Sequence, residues 1–158
     1  MAYKLVAAQH LNRYRFSLQF EDGKSCQCDL EPLLANHDKS QVEVFAYSLV
    51  KREDQVTERF IGYVDHWCHC LGRSYEALAE QVREDGIDIL VDLAGHTGNN
   101  GLPILAYKPA PVQVSWWMGF AFGTGLPQID YFLADEQMLP PGCEPSFAEK
   151  PWRMEAPA

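Results

Sequence analysis

The chain has 158 residues, 47% hydrophobic and 12% aromatic, enough for one domain with a buried core. Its 13 basic and 22 acidic residues give a net charge of −9, which argues against a nucleic-acid or anionic-membrane surface, since neutralising phosphates takes clustered Lys and Arg. There is no apolar run of the ~18 residues a membrane span needs, the start Met1-Ala2-Tyr3-Lys4-Leu5-Val6 lacks the apolar region of a signal peptide, and the five cysteines read as thiols of a cytoplasmic protein.

Residues 3–30 have a style of their own. Tyr3–Ala8 is strand-like, and Tyr14–Phe20 alternates apolar and polar residues, the period of a half-buried strand. Glu21-Asp22-Gly23-Lys24 is a tight-turn signal, and Ser25–Leu30 can return as the partner strand. An antiparallel hairpin or meander is expected here.

From about Leu33 the rhythm becomes that of strands alternating with helices. Val42–Leu49 is a strand, Asp54–Tyr63 a helix with Val56, Phe60 and Tyr63 on one face, and Val64–Cys70 a short extended piece. Ser74 suits the N-cap of a helix over Tyr75–Glu84 that turns Leu78, Ala79 and Val82 inward, and Gly86 suits its left-handed C-terminal cap. Ile87–Leu93 is a nearly continuous apolar run, the pattern of a strand buried on both faces of a parallel sheet. Asn100–Tyr107 is a short helix, Val112–Met118 a strand, Gly119–Gly125 a glycine-rich loop, Ile129–Ala134 a last strand, and the tail from Pro140 is irregular. The strands at 42–49, 87–93, 112–118 and 129–134 are expected in one mostly parallel sheet with right-handed crossovers, an α/β Rossmann-like fold.

In such sheets ligands sit beyond the carboxyl ends of the strands. The apolar run stops at Gly95 and polar residues follow at once: His96, Thr97, Asn99 and Asn100 stand where a site is expected. Gly119–Gly125 lacks the Walker lysine and the dinucleotide fingerprint spacing, so it reads as a cleft-lining loop or as a plain glycine turn. Cys26-x-Cys28 and His66-Trp67-Cys68-His69-Cys70 offer zinc-type ligands at spacings unlike those of zinc fingers, and packed thiols are the better reading, with no metal expected. Glu80 and Arg83 read as an i, i+3 pair on a solvated face, at least one of Trp116 and Trp117 as core, and Asp88 or Asp92 as a cap rather than a catalytic acid.

Six ordered blocks carry a family resemblance: Leu33-Leu34-Ala35-Asn36-His37-Asp38, Val42-Glu43-Val44-Phe45-Ala46-Tyr47, Asp85–Leu93, Gly95-His96-Thr97, Lys108–Val114 and Ile129-Asp130-Tyr131. Over residues 32–154 the chain resembles the catalytic region of the protein O-linked N-acetylglucosamine transferase, or SPINDLY-like, family. The resemblance implies the amino-terminal half of a GT-B fold, two Rossmann-like halves facing a cleft. It also implies transfer of N-acetylglucosamine from UDP-GlcNAc to a protein Ser or Thr, with no cofactor beyond that donor. His96 becomes the catalytic candidate, and Thr97, Asn99, Asn100, Gly123, Thr124 and Gly125 substrate-binding candidates; the nucleotide sugar and an acceptor protein become partners.

Some positions depart from the family pattern. The Asp-x-x-x-His loop near the sugar phosphates has no counterpart in residues 3–30, Gly101 stands where an arginine is usual, and the carboxyl half that supplies most of the diphosphate pocket lies outside this sequence. Phe20–Lys24 and Asp29–Leu34 instead resemble a small uncharacterised bacterial domain family. The expectation is therefore a fusion of a hairpin module, 1–31, with a truncated glycosyltransferase half-domain, 32–158, inactive in isolation. The alternative is a non-catalytic remnant or protein-binding module that docks a partner on the exposed cleft face.

Overall fold

The computed structural model describes residues 5–12, 15–20, 25–29, 31–116, 123–136 and 138–154. They fall in two compact units that divide between Leu71 and Gly72, inside the stretch 32–158 that the sequence reading treats as one module. Among these residues no helix is long and apolar enough to cross a membrane.

The first unit opens with β1 (Leu5–Asn12), β2 (Arg15–Phe20) and β3 (Ser25–Asp29), an antiparallel sheet in which Phe16 pairs with His10 on one side and Cys28 on the other. This is the expected meander; its turn at Asp22-Gly23 lies outside the described residues. A short helix that the sequence reading did not separate out, α1 (Glu31–Ala35), follows. Then come β4 (Phe45–Ser48), α2 (Gln55–Ile61) and β5 (His66–His69), a parallel pair joined by a crossover helix. Asp54 caps α2: one carboxylate oxygen accepts the amides of Val56 and Thr57 and the Thr57 hydroxyl.

A polar cluster ties the segment before β4 to the start of β5. Asp65 accepts from Lys39 Nζ at 2.8 Å, from the Val44 amide at 2.9 Å and from His37 Nε2 at 3.0 Å. His37 Nδ1 donates to the Leu34 carbonyl at 2.7 Å. Both ring nitrogens thus face groups that can only accept, which favours the imidazolium. The Leu34 carbonyl first, then Asp65, raise the His37 pKa above its ordinary value. Lys39, the Val44 amide and His37, in that order, hold the Asp65 carboxyl far below the usual carboxylate range.

The second unit begins with α3 (Tyr75–Glu84), as expected: the Ser74 hydroxyl accepts from the Ala77 amide, Leu78, Ala79 and Val82 are buried, and Gly86 takes φ +68° after the last turn. Arg83 pairs with Glu80 at 2.9 Å and also donates to the Tyr107 carbonyl at 2.7 Å. Next come β6 (Ile89–Asp92), α4 (Leu102–Leu105), β7 (Val112–Ser115), β8 (Tyr131–Ala134) and β9 (Lys150–Arg153). The four strands form one parallel sheet in the order β6-β7-β8-β9. The architecture is α/β with parallel sheets, the half-domain type expected.

Four expectations are corrected. The strand at 42–49 does not join the one at 87–93: among the described residues β4 pairs only with β5, and the parallel strands occupy two sheets. In a doubly wound sheet of order 3-2-1-4-5-6 the first strand lies between the second and the fourth. Here the residues before β4 form an antiparallel meander, and among the described residues no second strand pairs with β4 or with β6. Ile87–Leu93 is not buried on both faces: Ile89, Val91 and Leu93 are 59%, 43% and 50% exposed, while Asp92 on the opposite face is buried. The 100–107 helix shrinks to the single turn of α4, and the tail from Pro140 contains β9. Pro151 is tolerable there because β9 is an edge strand, paired on one side only.

Two apolar clusters fix the sheet. Leu102, Leu105 and Ile129 pack with Leu90 and Leu126; Phe132, Ala134 and Leu139 pack with Met138, Cys143 and Phe147. A polar knot joins β7 to the approach of β8. Fully buried Gln113 donates from Nε2 to the carbonyls of Leu105 and Gln128, each at 2.9 Å, and its amide reaches Asp130 at 2.7 Å. Lys108 bonds the Asp130 carboxylate and donates to the Gln128 carbonyl. Burial opposes ionisation of Asp130, but the Lys108 ammonium and the Gln113 amide outweigh it and keep its pKa below the ordinary value.

Two outcomes follow. Asp65 contributes stability above its unfolded pKa that is lost as pH falls through the lower folded value; His37 contributes below its unfolded pKa and loses it as pH rises through the raised folded value. The first unit should therefore be most resistant to urea between about pH 4 and 6.5. The His37 titration followed by NMR should have its midpoint above the ordinary histidine value, falling in Asp65→Asn. Separately, Asp92→Ala strands buried donors at the end of β6 and should cost about 2 kcal/mol in urea unfolding, with Asp92→Asn losing less because an amide oxygen still accepts.

Candidate functional site

The site grows from the end of β6. Asp92 is only 4% exposed. Its carboxylate accepts the amides of Ala94 at 3.1 Å and Gly95 at 3.1–3.2 Å, and the Ser115 hydroxyl of β7 at 3.1 Å. The chain is thereby bent sharply as it leaves the sheet, and Gly95 adopts φ +51°. Asp92 thus caps the turn that leaves its own strand rather than a neighbouring helix, the cap expected from its position, while Asp88 is exposed and its carbonyl accepts the Val112 amide.

The bent loop carries the predicted residues in two classes. Thr97 and Asn100 shape it: the Thr97 hydroxyl donates to the Ala94 carbonyl at 2.8 Å, Asn100 Nδ2 to the Thr97 carbonyl at 2.7 Å, and Asn100 Oδ1 accepts the Leu102 amide that opens α4. Asn99 takes a left-handed φ of +58° that asparagine tolerates, and is exposed. His96 is exposed, with Nε2 at 3.3 Å from the Gly123 carbonyl. A carbonyl can only accept, so Nε2 carries the proton in this contact and Nδ1 is turned elsewhere.

Gly123 is therefore brought to His96, as parallel strands deliver their following loops to one edge. Thr124 is not open to solvent in the same way. It is 8% exposed, and its amide and hydroxyl both go to Oε1 of Glu149, a carboxylate 3% exposed just ahead of β9. The Thr124 hydroxyl also accepts the Leu126 amide at 3.2 Å. Gly125 is exposed at φ +74°. A Cβ on Gly123 would lie 2.6 Å from Glu149 Oε2 and 3.1 Å from the Phe147 ring, so a larger residue there would push the carboxylate aside. The sequence reading did not single out Glu149: a glutamate ahead of Lys-Pro-Trp-Arg in a proline-rich tail reads as surface charge. Residues 117–122, including Trp117 and the first half of the glycine-rich loop, lie outside the described residues.

The histidine and cysteine blocks of the first unit make other contacts. His66 bonds Glu43 at 2.7 Å and stacks on Phe45; His69 bonds Glu53 at 3.1 Å; the buried Cys70 thiol donates to the Cys68 carbonyl. Among the described residues no three or more of His, Cys, Asp and Glu are gathered as a metal would require.

Comparison with known proteins places this geometry. The chain is 41% identical over 125 residues to the probable UDP-N-acetylglucosamine–peptide N-acetylglucosaminyltransferase SPINDLY of Arabidopsis thaliana, which covers 77% of this chain and 14% of that protein. It is 32% identical over 120 residues to the UDP-N-acetylglucosamine–peptide N-acetylglucosaminyltransferase of Caenorhabditis elegans, covering 72% of this chain and 10% of the other. A solved structure of a Thermobaculum terrenum O-GlcNAc transferase mutant superposes with a TM-score of 0.76 at 39% identity, over 80% of this chain and 24% of that one. The chain thus spans a small fraction of the length of these relatives. The model of glycosyl transferase family 41 matches residues 28–156, so that the parallel sheet, the Asp92-capped turn and the His96 loop belong to a member of that family.

Proposed function

We propose that this chain forms part of the catalytic region of a cytoplasmic protein O-GlcNAc transferase. The observation that carries the reading is the family match over residues 28–156, with His96 exposed on the loop that leaves β6. In the reaction a Ser or Thr hydroxyl oxygen bonds the anomeric carbon of N-acetylglucosamine as the bond from that carbon to the diphosphate breaks. UDP leaves with the electron pair, and the hydroxyl proton passes to a base or to solvent. The protein's work is to orient the hydroxyl and stabilise the departing charge. His96 supplies a polar contact to donor or acceptor. Asn99, Gly123 and Gly125 line its surroundings, and Thr97, Asn100 and Thr124 act by holding the two loops. Residues 1–31 are read as a separate hairpin module joined to the glycosyltransferase part, 32–158.

A second reading is supported by one feature. Ile89, Val91 and Leu93, on and just after the edge strand β6, stand 43–59% exposed. A bare apolar row of this kind suits a non-catalytic module that docks a protein partner.

Two experiments separate these readings. The isolated chain should transfer nothing measurable from UDP-GlcNAc to an acceptor peptide, because the resemblance puts the diphosphate pocket on residues outside this sequence; robust transfer would refute that division. Residues 32–154 grafted in place of the matching segment of the Thermobaculum enzyme should restore transfer. In that chimera His96→Ala should lower turnover by about 100-fold while the melting temperature stays nearly constant. A large fall in melting temperature would make His96 a structural residue, unchanged turnover would remove it from the reaction, and a folded chimera without transfer would leave the docking module as the reading.

A further inference from the structure

We propose that Glu149 is the positioning residue of the His96 loop: from its buried place ahead of β9 it fixes the Gly123 carbonyl that His96 contacts. The inference begins with a cost. Glu149 is 3% exposed, and its Oε2 is buried without a hydrogen-bond partner among the described residues. A half-satisfied buried carboxylate is a poor way to gain stability, since burying such a group is unfavourable unless it is fully paired. What the carboxylate does achieve is geometric. Oε1 accepts both donors of Thr124, amide and hydroxyl. Two bonds to one residue set the backbone there, and with it the direction of the carbonyl one residue earlier. Gly123 lies so close over Oε2 that a side chain there would have to displace the Glu149 carboxylate. Phe147, two residues before Glu149, touches the same glycine position and packs on Phe132 at 5.2 Å between ring centres, which anchors the arrangement to β8.

The consequence falls on His96. With the Gly123 carbonyl fixed, Nε2 is the nitrogen that holds the proton in the neutral ring, and Nδ1 is left with a lone pair for a ligand. Glu149 touches neither the ring nor a substrate; it acts through Thr124 and Gly123. The inference rests on the reading of His96 as the site's polar contact for its catalytic meaning. It is tested on the ring itself, so loss of one reading is distinguishable from loss of the other.

The test is nitrogen-15 NMR of the full 158-residue chain, at a pH well above the ordinary histidine range, on wild type and three variants. Wild type should show the His96 ring in the Nε2–H form, with through-space contacts from ring protons to Gly123. Glu149→Gln should keep both signatures, because its amide oxygen can accept the two Thr124 donors. Glu149→Ala should lose the contacts and move the nitrogen shifts toward those of a solvent-exposed histidine. Thr124→Val, which removes one donor at nearly constant shape, should move them part of the way. Should Glu149→Ala fail to fold, Glu149→Gln and Thr124→Val carry the decision. A wild-type ring without the Gly123 contact would overturn the proposal, and so would a His96 signature unchanged in Thr124→Val or in folded Glu149→Ala.

Discussion

The buried carboxylate of Asp92 is the constraint from which the site follows. A parallel strand that ends in free space has no reason to turn one way rather than another. Here the last residue of β6 accepts two amides from the residues just after it and a hydroxyl from the neighbouring strand. The turn and the strand pairing are therefore fixed by one group. Ala94 and Gly95 cannot swing out without leaving Asp92 only the Ser115 hydroxyl in the interior, a cost of roughly 1–3 kcal/mol per stranded group. The carbonyl of Ala94 is then in place for Thr97, the carbonyl of Thr97 for Asn100, and Asn100 for the first amide of α4. His96 stands exposed on the loop that these bonds hold.

Local chemistry made part of this legible. The helix over Tyr75–Glu84 could be placed because a serine cap, inward residues at helical spacing and a glycine at the left-handed position all lie within a dozen residues, and each acts through its own backbone. The His96 loop was legible for the same reason: an apolar run ending in Gly-His-Thr states both strand and exit. Glu149 was not legible, since its partner Thr124 is twenty-five residues away and its burial depends on Gly123 and Phe147 converging over it. Thr124 shows the reverse failure. A small polar residue between glycines looks available to a ligand, yet both its donors are consumed by that carboxylate.

The division of the parallel strands between two sheets was hidden by the same non-locality. Alternation of strands with helices states that crossovers exist; it does not state which strand takes the centre. Within residues 5–29 the strands pair with one another and not with the parallel strands that follow. β9 escaped notice because Pro151 breaks the strand pattern in a tail rich in proline. Only an edge position, where one side of the ladder needs no donors, makes that sequence a strand.

The run Ile87–Leu93 was read as a strand hidden on both faces, and the reason it is not is itself informative. Leu90 and Asp92 turn to the packed side, Leu90 against the cluster of Leu102, Leu105 and Ile129. Ile89, Val91 and Leu93 turn to the other side, where they stand open. Side chains of this type gain about 1.5–3 kcal/mol each on burial, so the open face forgoes several kcal/mol that a covering element could return. Polar residues at those three positions would have served an exposed face better. These three side chains therefore suit a covered face, and an apolar surface laid on it would recover that burial.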